Sequence, residues 1–175
     1  QRNKNQFVTI DCTSMEDEII ESELFGNIKG YSKKLSASRK GYLDIAEKGT
    51  IYINEISRLN LQIQSKLLRT LNEQQFSRLG ESKTHQTNVR IIASTSVGLK
   101  NFISEKKFSE ELYKKLSIFE IEIPGLKERP EDILYFFNKY IEEFSMRKNM
   151  PIKEISPDFT RMIINYLCPV NFTEL

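Results

Sequence analysis

Asn54 and Glu55 close the short run Thr50-Ile51-Tyr52-Ile53, and this polar pair is where the chain is best equipped for chemistry. A carboxylate beside a second oxygen donor at the tip of an apolar strand can steady the water shell of Mg²⁺ and orient a water toward a phosphoryl group. The run itself is β-branched and aromatic, as in a buried strand of a parallel sheet. Open α/β sheets take their ligands at the C-terminal ends of such strands. Gly49 sets the strand off from what precedes it. An amphipathic helix is expected after it over about 59–74, with Ile63, Leu67, Leu68 and Leu71 on one face. Taken alone, this stretch is explained more simply as a core strand with a solvated end.

The remaining elements must position that pair. Phe7–Ile10 reads as a strand ending at Asp11, followed by a helix around 16–25. Residues 27–40 hold Lys29, Lys33, Lys34, Arg39 and Lys40 with no acid among them, and read as a loop. A hairpin-like excursion is expected between Phe76 and Asn88. Val89–Thr95 then reads as a strand with Thr95 and Ser96 at its tip. Two short helices (about 98–105 and 108–115) precede a last strand, Phe119–Ile123, which Pro124-Gly125 stops. Beyond Pro130 the pattern becomes helical. Ile133, Phe136, Phe137, Tyr140, Ile141 and Phe144 form one stripe, and Ser156-Pro157-Asp158 caps a helix bearing Phe159, Met162, Ile163, Tyr166 and Leu167.

Composition narrows the function classes. The 175 residues suit one domain, or one domain and part of another. Twenty-six basic and 24 acidic residues leave +2, too balanced to argue for nucleic acid by charge. No apolar run approaches the ~18 residues of a membrane span, so no membrane partner and a cytoplasmic location are expected. Cys12 and Cys168 lack partners at ligand spacing, which argues against a metal cluster or disulfide framework. His85 lies in a polar stretch and is expected to be solvated. The sequence contains no G-x-x-x-x-G-K-[ST] phosphate loop.

Several longer motifs carry a family resemblance. Glu21-Ser22-Glu23-Leu24-Phe25-Gly26, Phe108-Ser109-Glu110-Glu111-Leu112, Leu126-Lys127-Glu128-Arg129-Pro130-Glu131-Asp132-Ile133 and Pro169-Val170-Asn171-Phe172-Thr173-Glu174-Leu175 occur in order. They resemble the ESELFG, FREDL, LRERxEDI and PGNVREL blocks of bacterial enhancer-binding proteins, the AAA+ activators that act on sigma-54 RNA polymerase. The likeness covers roughly residues 6–175. It implies an α/β fold, the AAA+ three-layer sandwich with a parallel sheet, followed by the start of a helical lid subdomain. Residues 1–129 would be a partial AAA+ core without its Walker A portion, and 130–175 a partial lid. On this reading the chain is a fragment, with the phosphate loop upstream.

The resemblance assigns roles one residue at a time. Glu55 falls at the catalytic Walker B glutamate. Asn54 replaces the aspartate that holds Mg²⁺ indirectly, which removes a charge. Asp11 replaces the asparagine that hydrogen-bonds the glutamate, so two carboxylates are expected to repel unless one is protonated. Thr95 and Ser96 fall at sensor I and Thr173 at the sensor II arginine. Ser109 and Lys115 take the arginine-finger positions, and lysine lacks the bidentate fork. Gly30, Tyr31, Ser32, Lys33, Lys34 and Leu35 align with the GAFTGA partner-contact hexapeptide, of which only the first glycine remains. NtrX-like response regulators also depart from that hexapeptide and are the nearest likeness.

Two readings stay open. In the first, a degenerate core acts in transcription regulation as a nucleotide-responsive or assembly module. It would bind ATP with Mg²⁺ if at all through an upstream loop, and would self-associate as a ring or dimer. DNA would be met through a further C-terminal domain and a sensor kinase through a receiver domain, with sigma-54 polymerase a doubtful partner. In the second, the chain belongs to an active sigma-54-dependent ATPase, for which Glu55 and the Lys115 position speak. The basic loop could also meet phosphate or an acidic partner, although a plain solvated loop is the simpler account.

Overall fold

Alternation along the strands explains where the core lies. The computed structural model describes residue 2, residues 4–151 and residues 155–165. Its elements run β1 (Phe7–Asp11), α1 (Asp17–Phe25), β2 (Gly26–Asn27), β3 (Arg39–Lys40), α2 (Tyr42–Ile45) and β4 (Thr50–Asn54). Then come α3 (Leu61–Glu73), β5 (Gln75–Phe76), β6 (His85–Gln86), β7 (Arg90–Ala93), α4 (Leu99–Ser104), α5 (Glu110–Leu116), α6 (Pro130–Lys148) and α7 (Pro157–Asn165). They pack as two compact units, Gln1–Glu120 and Ile121–Leu175.

In the first unit β1, β4 and β7 form a parallel sheet with β4 in the centre. Asp11 lies opposite Asn54, and Ile53 opposite Ala93. Parallel pairing brings the C-terminal ends of all three strands to one edge. Ile51 and Ile53 point into a core shared with Ile10, Leu24, Phe25, Ile63, Leu67 and Leu112. Thr50, Tyr52 and Asn54 are only half-buried on the opposite face, whose neighbours Phe7 and Ile92 stay exposed. The expected fully buried strand is therefore buried on alternate residues, because the second face is only partly covered by the described residues.

The helix after β4 starts later than the sequence suggests. A 3-10 turn over Ile56–Arg58 intervenes, and α3 begins where the Asn60 side chain accepts the Ile63 N–H at 2.9 Å. Gln64 is fully buried on α3, with its amide given to the Leu59 and Lys107 carbonyls and its oxygen accepting the Ser109 N–H. That one side chain ties α3 to the start of α5. The β5–β6 hairpin is present as expected. His85 within it is not solvated, since it bonds Glu81 at 2.8 Å and lies against the Phe76 ring.

Two expectations need correction. The stretch 27–40 is not loop throughout, because β2 and β3 pair antiparallel at its two ends. Phe119–Ile123 is not a strand. Phe119 and Ile121 are 92% and 87% exposed, and no described strand lies beside them to complete a ladder.

In the second unit Leu126, Ile133 and Ile163 form a small core, and Phe137 lies 5.8 Å from Phe159. Pro130 opens α6, and Ser156 Oγ accepts the Phe159 N–H at 3.2 Å to cap α7. Tyr140 and Phe144, placed on the α6 stripe, remain exposed. Tyr166 and Leu167 lie outside the described residues. Among the described residues no helix is long and apolar enough to cross a membrane.

Gly49 permits the close approach of β4 to β1, since a Cβ there would sit 2.1 Å from the Gln6 carbonyl oxygen. A Cβ on Gly98 would meet nothing within 4 Å. Denaturant titration of Gly49→Ala should therefore show a loss of about 3 kcal/mol. Gly98→Ala should stay within about 0.5 kcal/mol of wild type. Equal effects of the two would contradict this packing.

Candidate functional site

Glu55 leaves β4 in the left-handed region, with φ 57° and ψ 58°, a conformation that costs a residue with a Cβ roughly 1–3 kcal/mol. The bend sends its side chain sideways toward the tip of β7. There Ser57 Oγ donates to Oε1 at 2.6 Å and Thr95 Oγ1 donates to the same oxygen at 2.9 Å. The Ser96 N–H bridges both carboxylate oxygens at 3.1 Å, and Ser96 Oγ donates to Oε2 at 2.8 Å. Burial alone would raise the pKa. The hydrogen bonds from Ser57, Ser96 and Thr95 outweigh it and hold the group below its ordinary 4.5. Glu55 is thus an ionised carboxylate whose acceptor capacity is largely met by protein donors.

Asn54 is equally committed. Its Oδ1 accepts from Ser94 Oγ at 2.9 Å, and the Tyr52 hydroxyl donates to Ser94 Oγ at 2.8 Å behind it. Its side chain also supports the Asp11 carboxylate across the strand pair. Asp11 itself accepts the Thr13 N–H at 2.9 Å and Thr13 Oγ1 at 2.7 Å. Those Thr13 bonds, backbone first, place its pKa below 3.8. Each carboxylate is thus held ionised by its own donors, Asp11 by Thr13 and Glu55 by Ser57, Ser96 and Thr95, and neither takes up a proton to accommodate the other. Between them Cys12 is buried. Desolvation, helped by the charges of Asp11 and Glu55, pushes its thiol up to about 11 and makes it inert.

This donor set fits a hydrated Mg²⁺ poorly. The Asn54 oxygen is neutral and already accepts from Ser94, and Glu55 is enclosed by hydroxyls and an amide. Asp11 is exposed, but its Oδ1 already accepts the Thr13 N–H and hydroxyl. Among the described residues no group of three or more His, Cys, Asp and Glu side chains could hold a metal.

The structure thus brings Asp11, Asn54, Glu55, Thr95 and Ser96 to one sheet edge. It gives Lys115 no direct bond to them, leaving that side chain exposed on α5. Ser109, at the other finger position, is spent on capping α5, its Oγ accepting the Leu112 N–H. Thr173 lies outside the described residues. The hexapeptide Gly30–Leu35 closes on itself through the Gly30 N–H to the Leu35 carbonyl at 3.3 Å, with Leu35 N–H returning to Ser32. Tyr31 and Lys33 are exposed. Lys34 is paired with Glu16, and Arg39 farther along with Glu23, so the basic stretch is partly fastened to α1. Sequence reading missed Ser57, Ser94, Tyr52 and Thr13. The available signal was a density of hydroxyls within three residues of each strand tip.

Comparison with known proteins adds the family context. A model described as the sigma-54 interaction domain matches residues 1–122. The formate hydrogenlyase transcriptional activator FhlA of Escherichia coli is 37% identical over 174 residues, covering 99% of this chain and 25% of that protein. Nitrogen fixation protein VnfA of Azotobacter vinelandii is 37% identical, covering 98% of this chain and 33% of that protein. The chain spans a quarter to a third of the length of these curated relatives. Among solved structures, NtrX from Brucella abortus in complex with ADP superposes with a TM-score of 0.85 at 30% identity, covering 99% of this chain and 37% of that one. Its complex with ATP gives 0.84.

The hydroxyl cage has a titration signature. Carboxyl NMR should find Glu55 titrating below 4.5, with Ser57→Ala and Ser96→Ala each moving it upward. Because the folded value lies below the unfolded one, the stabilisation is complete above about pH 4.5 and is lost as pH falls through the folded pKa. A Glu55 midpoint at or above 4.5 in the wild type would contradict the cage.

Proposed function

The chain belongs to the sigma-54 interaction domain family, the family of sigma-54-dependent transcriptional activators, and from that premise we propose that it is a non-hydrolysing, nucleotide-responsive assembly module of a transcriptional regulator. One observation carries the proposal. The Glu55 carboxylate, at the position that would orient the attacking water, is held by Ser57, Thr95 and Ser96 instead. A general base has to reach its water within hydrogen-bond distance, and a carboxylate with this many protein donors has little capacity left for one.

The surrounding inventory supports the same reading. Asn54 brings no charge to a metal shell. Ser109 and Lys115 bring no guanidinium, where an arginine finger contributes about 10³–10⁵ in rate. NtrX from Brucella abortus was solved with ADP and with ATP, which supports nucleotide binding by the protein that carries this domain. The division into an α/β core to residue 129 and a lid from 130 is part of the proposal. So is self-association as a ring or dimer. A receiver domain answering to a kinase and a DNA-binding domain would complete an NtrX-like response regulator. The lysine-bearing hexapeptide Gly30–Leu35 disfavours insertion into sigma-54 polymerase, because an apolar tip is replaced by solvated charge.

Steady-state ATPase assays on the full-length protein that carries this domain test the reading. Turnover should lie at least about a thousandfold below that of a relative with both arginine fingers, and Glu55→Gln should leave it unchanged. ADP or ATP binding, followed by calorimetry, should persist in Glu55→Gln. Brisk turnover abolished by Glu55→Gln would establish the active ATPase instead.

A further inference from the structure

One row of side chains crosses the tips of β1, β4 and β7. Asp11 is the register partner of Asn54, and Ser94 follows Ala93, the partner of Ile53. The ladder stays closed up to that row. Cys12 N–H donates to the Asn54 carbonyl at 3.1 Å, and Ser94 N–H to the Ile53 carbonyl at 2.9 Å. Neighbours in such a row lie about 4.8 Å apart on one face of the sheet. Here it is the face away from the core, where Asp11 is exposed and Asn54 and Ser94 are half-buried. A carboxylate, an amide and a hydroxyl thus stand side by side.

The amide in the middle is used from both sides. Ser94 Oγ donates to Asn54 Oδ1 at 2.9 Å, with the Tyr52 hydroxyl behind it at 2.8 Å. Accepting on the β7 side turns the Nδ2 hydrogens toward β1, where the Asn54 side chain hydrogen-bonds Asp11. Thr13 already gives its N–H and its hydroxyl to Asp11 Oδ1, at 2.9 and 2.7 Å. An amide accepts at one end and donates at the other. An ionised carboxylate at position 54 could only accept, and would set a second negative charge beside Asp11.

Two such charges side by side are what a divalent cation relieves, since hydrated Mg²⁺ is anchored by one or two carboxylates. In this row the positively polarised Asn54 N–H fills the side of Asp11 where a second carboxylate would help to hold that shell. We infer that Asn54 is a specificity-determining residue: its amide stands in for a cation beside Asp11, and nucleotide is bound without a divalent ion anchored at this edge. This extends the nucleotide-binding reading, on which it rests, to the form of the ligand, an uncomplexed di- or triphosphate.

Calorimetric titration of the full-length protein with ADP, in Mg²⁺ and in EDTA, tests this. Wild-type Kd values in the two buffers should agree within about threefold. Asn54→Asp, with two carboxylates side by side, should bind ADP about tenfold tighter in Mg²⁺ than in EDTA. Val97→Asp puts a carboxylate beyond the row, at a half-exposed position (38%) near the same edge, and should behave as wild type. A tenfold Mg²⁺ effect in wild type or in Val97→Asp, or none in Asn54→Asp, would overturn the inference. If no form binds ADP, the nucleotide-binding reading fails, and amide exchange at Cys12 and Ser94 decides whether the row excludes the cation. Mg²⁺ should slow that exchange in Asn54→Asp alone; a wild-type response, or none in the variant, refutes the exclusion. Should Asn54→Asp lose protection at Ile51 and Ile53 in EDTA, its return on adding Mg²⁺ supports the inference and its failure to return refutes it.

Discussion

The left-handed turn at Glu55 governs the chemistry of this domain. A residue with a Cβ adopts that backbone only when its surroundings compensate. Here the compensation is visible in the hydrogen bonds to Ser57, Thr95 and Ser96. The parallel register of β1, β4 and β7 sets all of this up by bringing three strand tips to one edge. Given that register, the side chains at the tips decide between a water-orienting site and a closed network. Hydroxyls at the β7 tip close it.

The Glu21–Gly26 motif has a structural explanation in which every position takes part. Leu24 and Phe25 are buried in the core, and Ser22 bonds Asn27. Glu21 pairs with Lys66 and Glu23 with Arg39. Gly26, at φ +77°, lies where a Cβ would come 2.6 Å from the Gly41 amide nitrogen. The motif therefore fixes where the loop leaves the domain and how closely its ends return.

Strands, helices and the α/β class were legible in the sequence because apolar periodicity reports burial directly. Ile51, Ile53, Ile63 and Leu67 were all placed correctly on core faces. Phe119–Ile123 misled, because alternation records fitness for a sheet and cannot say whether a neighbouring strand is present. The strand pattern alone placed Asp11, Asn54, Glu55, Thr95 and Ser96 at strand tips, and the roles assigned to them came only through likeness to a family. Their bonding was not legible. A hydroxyl such as Ser57 or Ser94 has no periodicity, and its role depends on a backbone bend that the sequence does not announce. Gln64 and Asn27 were passed over for the same reason: a buried amide looks like a surface residue until its partners are known.

The central claim is that the Glu55 carboxylate remains in its cage when nucleotide is bound. A high-resolution crystal structure of the full-length protein with ATP and Mg²⁺ measures this directly. The account predicts an intact γ-phosphate, with Glu55 still accepting from Ser57, Thr95 and Ser96. Glu55 released from those hydroxyls and bonded to a water in line with the γ-phosphate would contradict it.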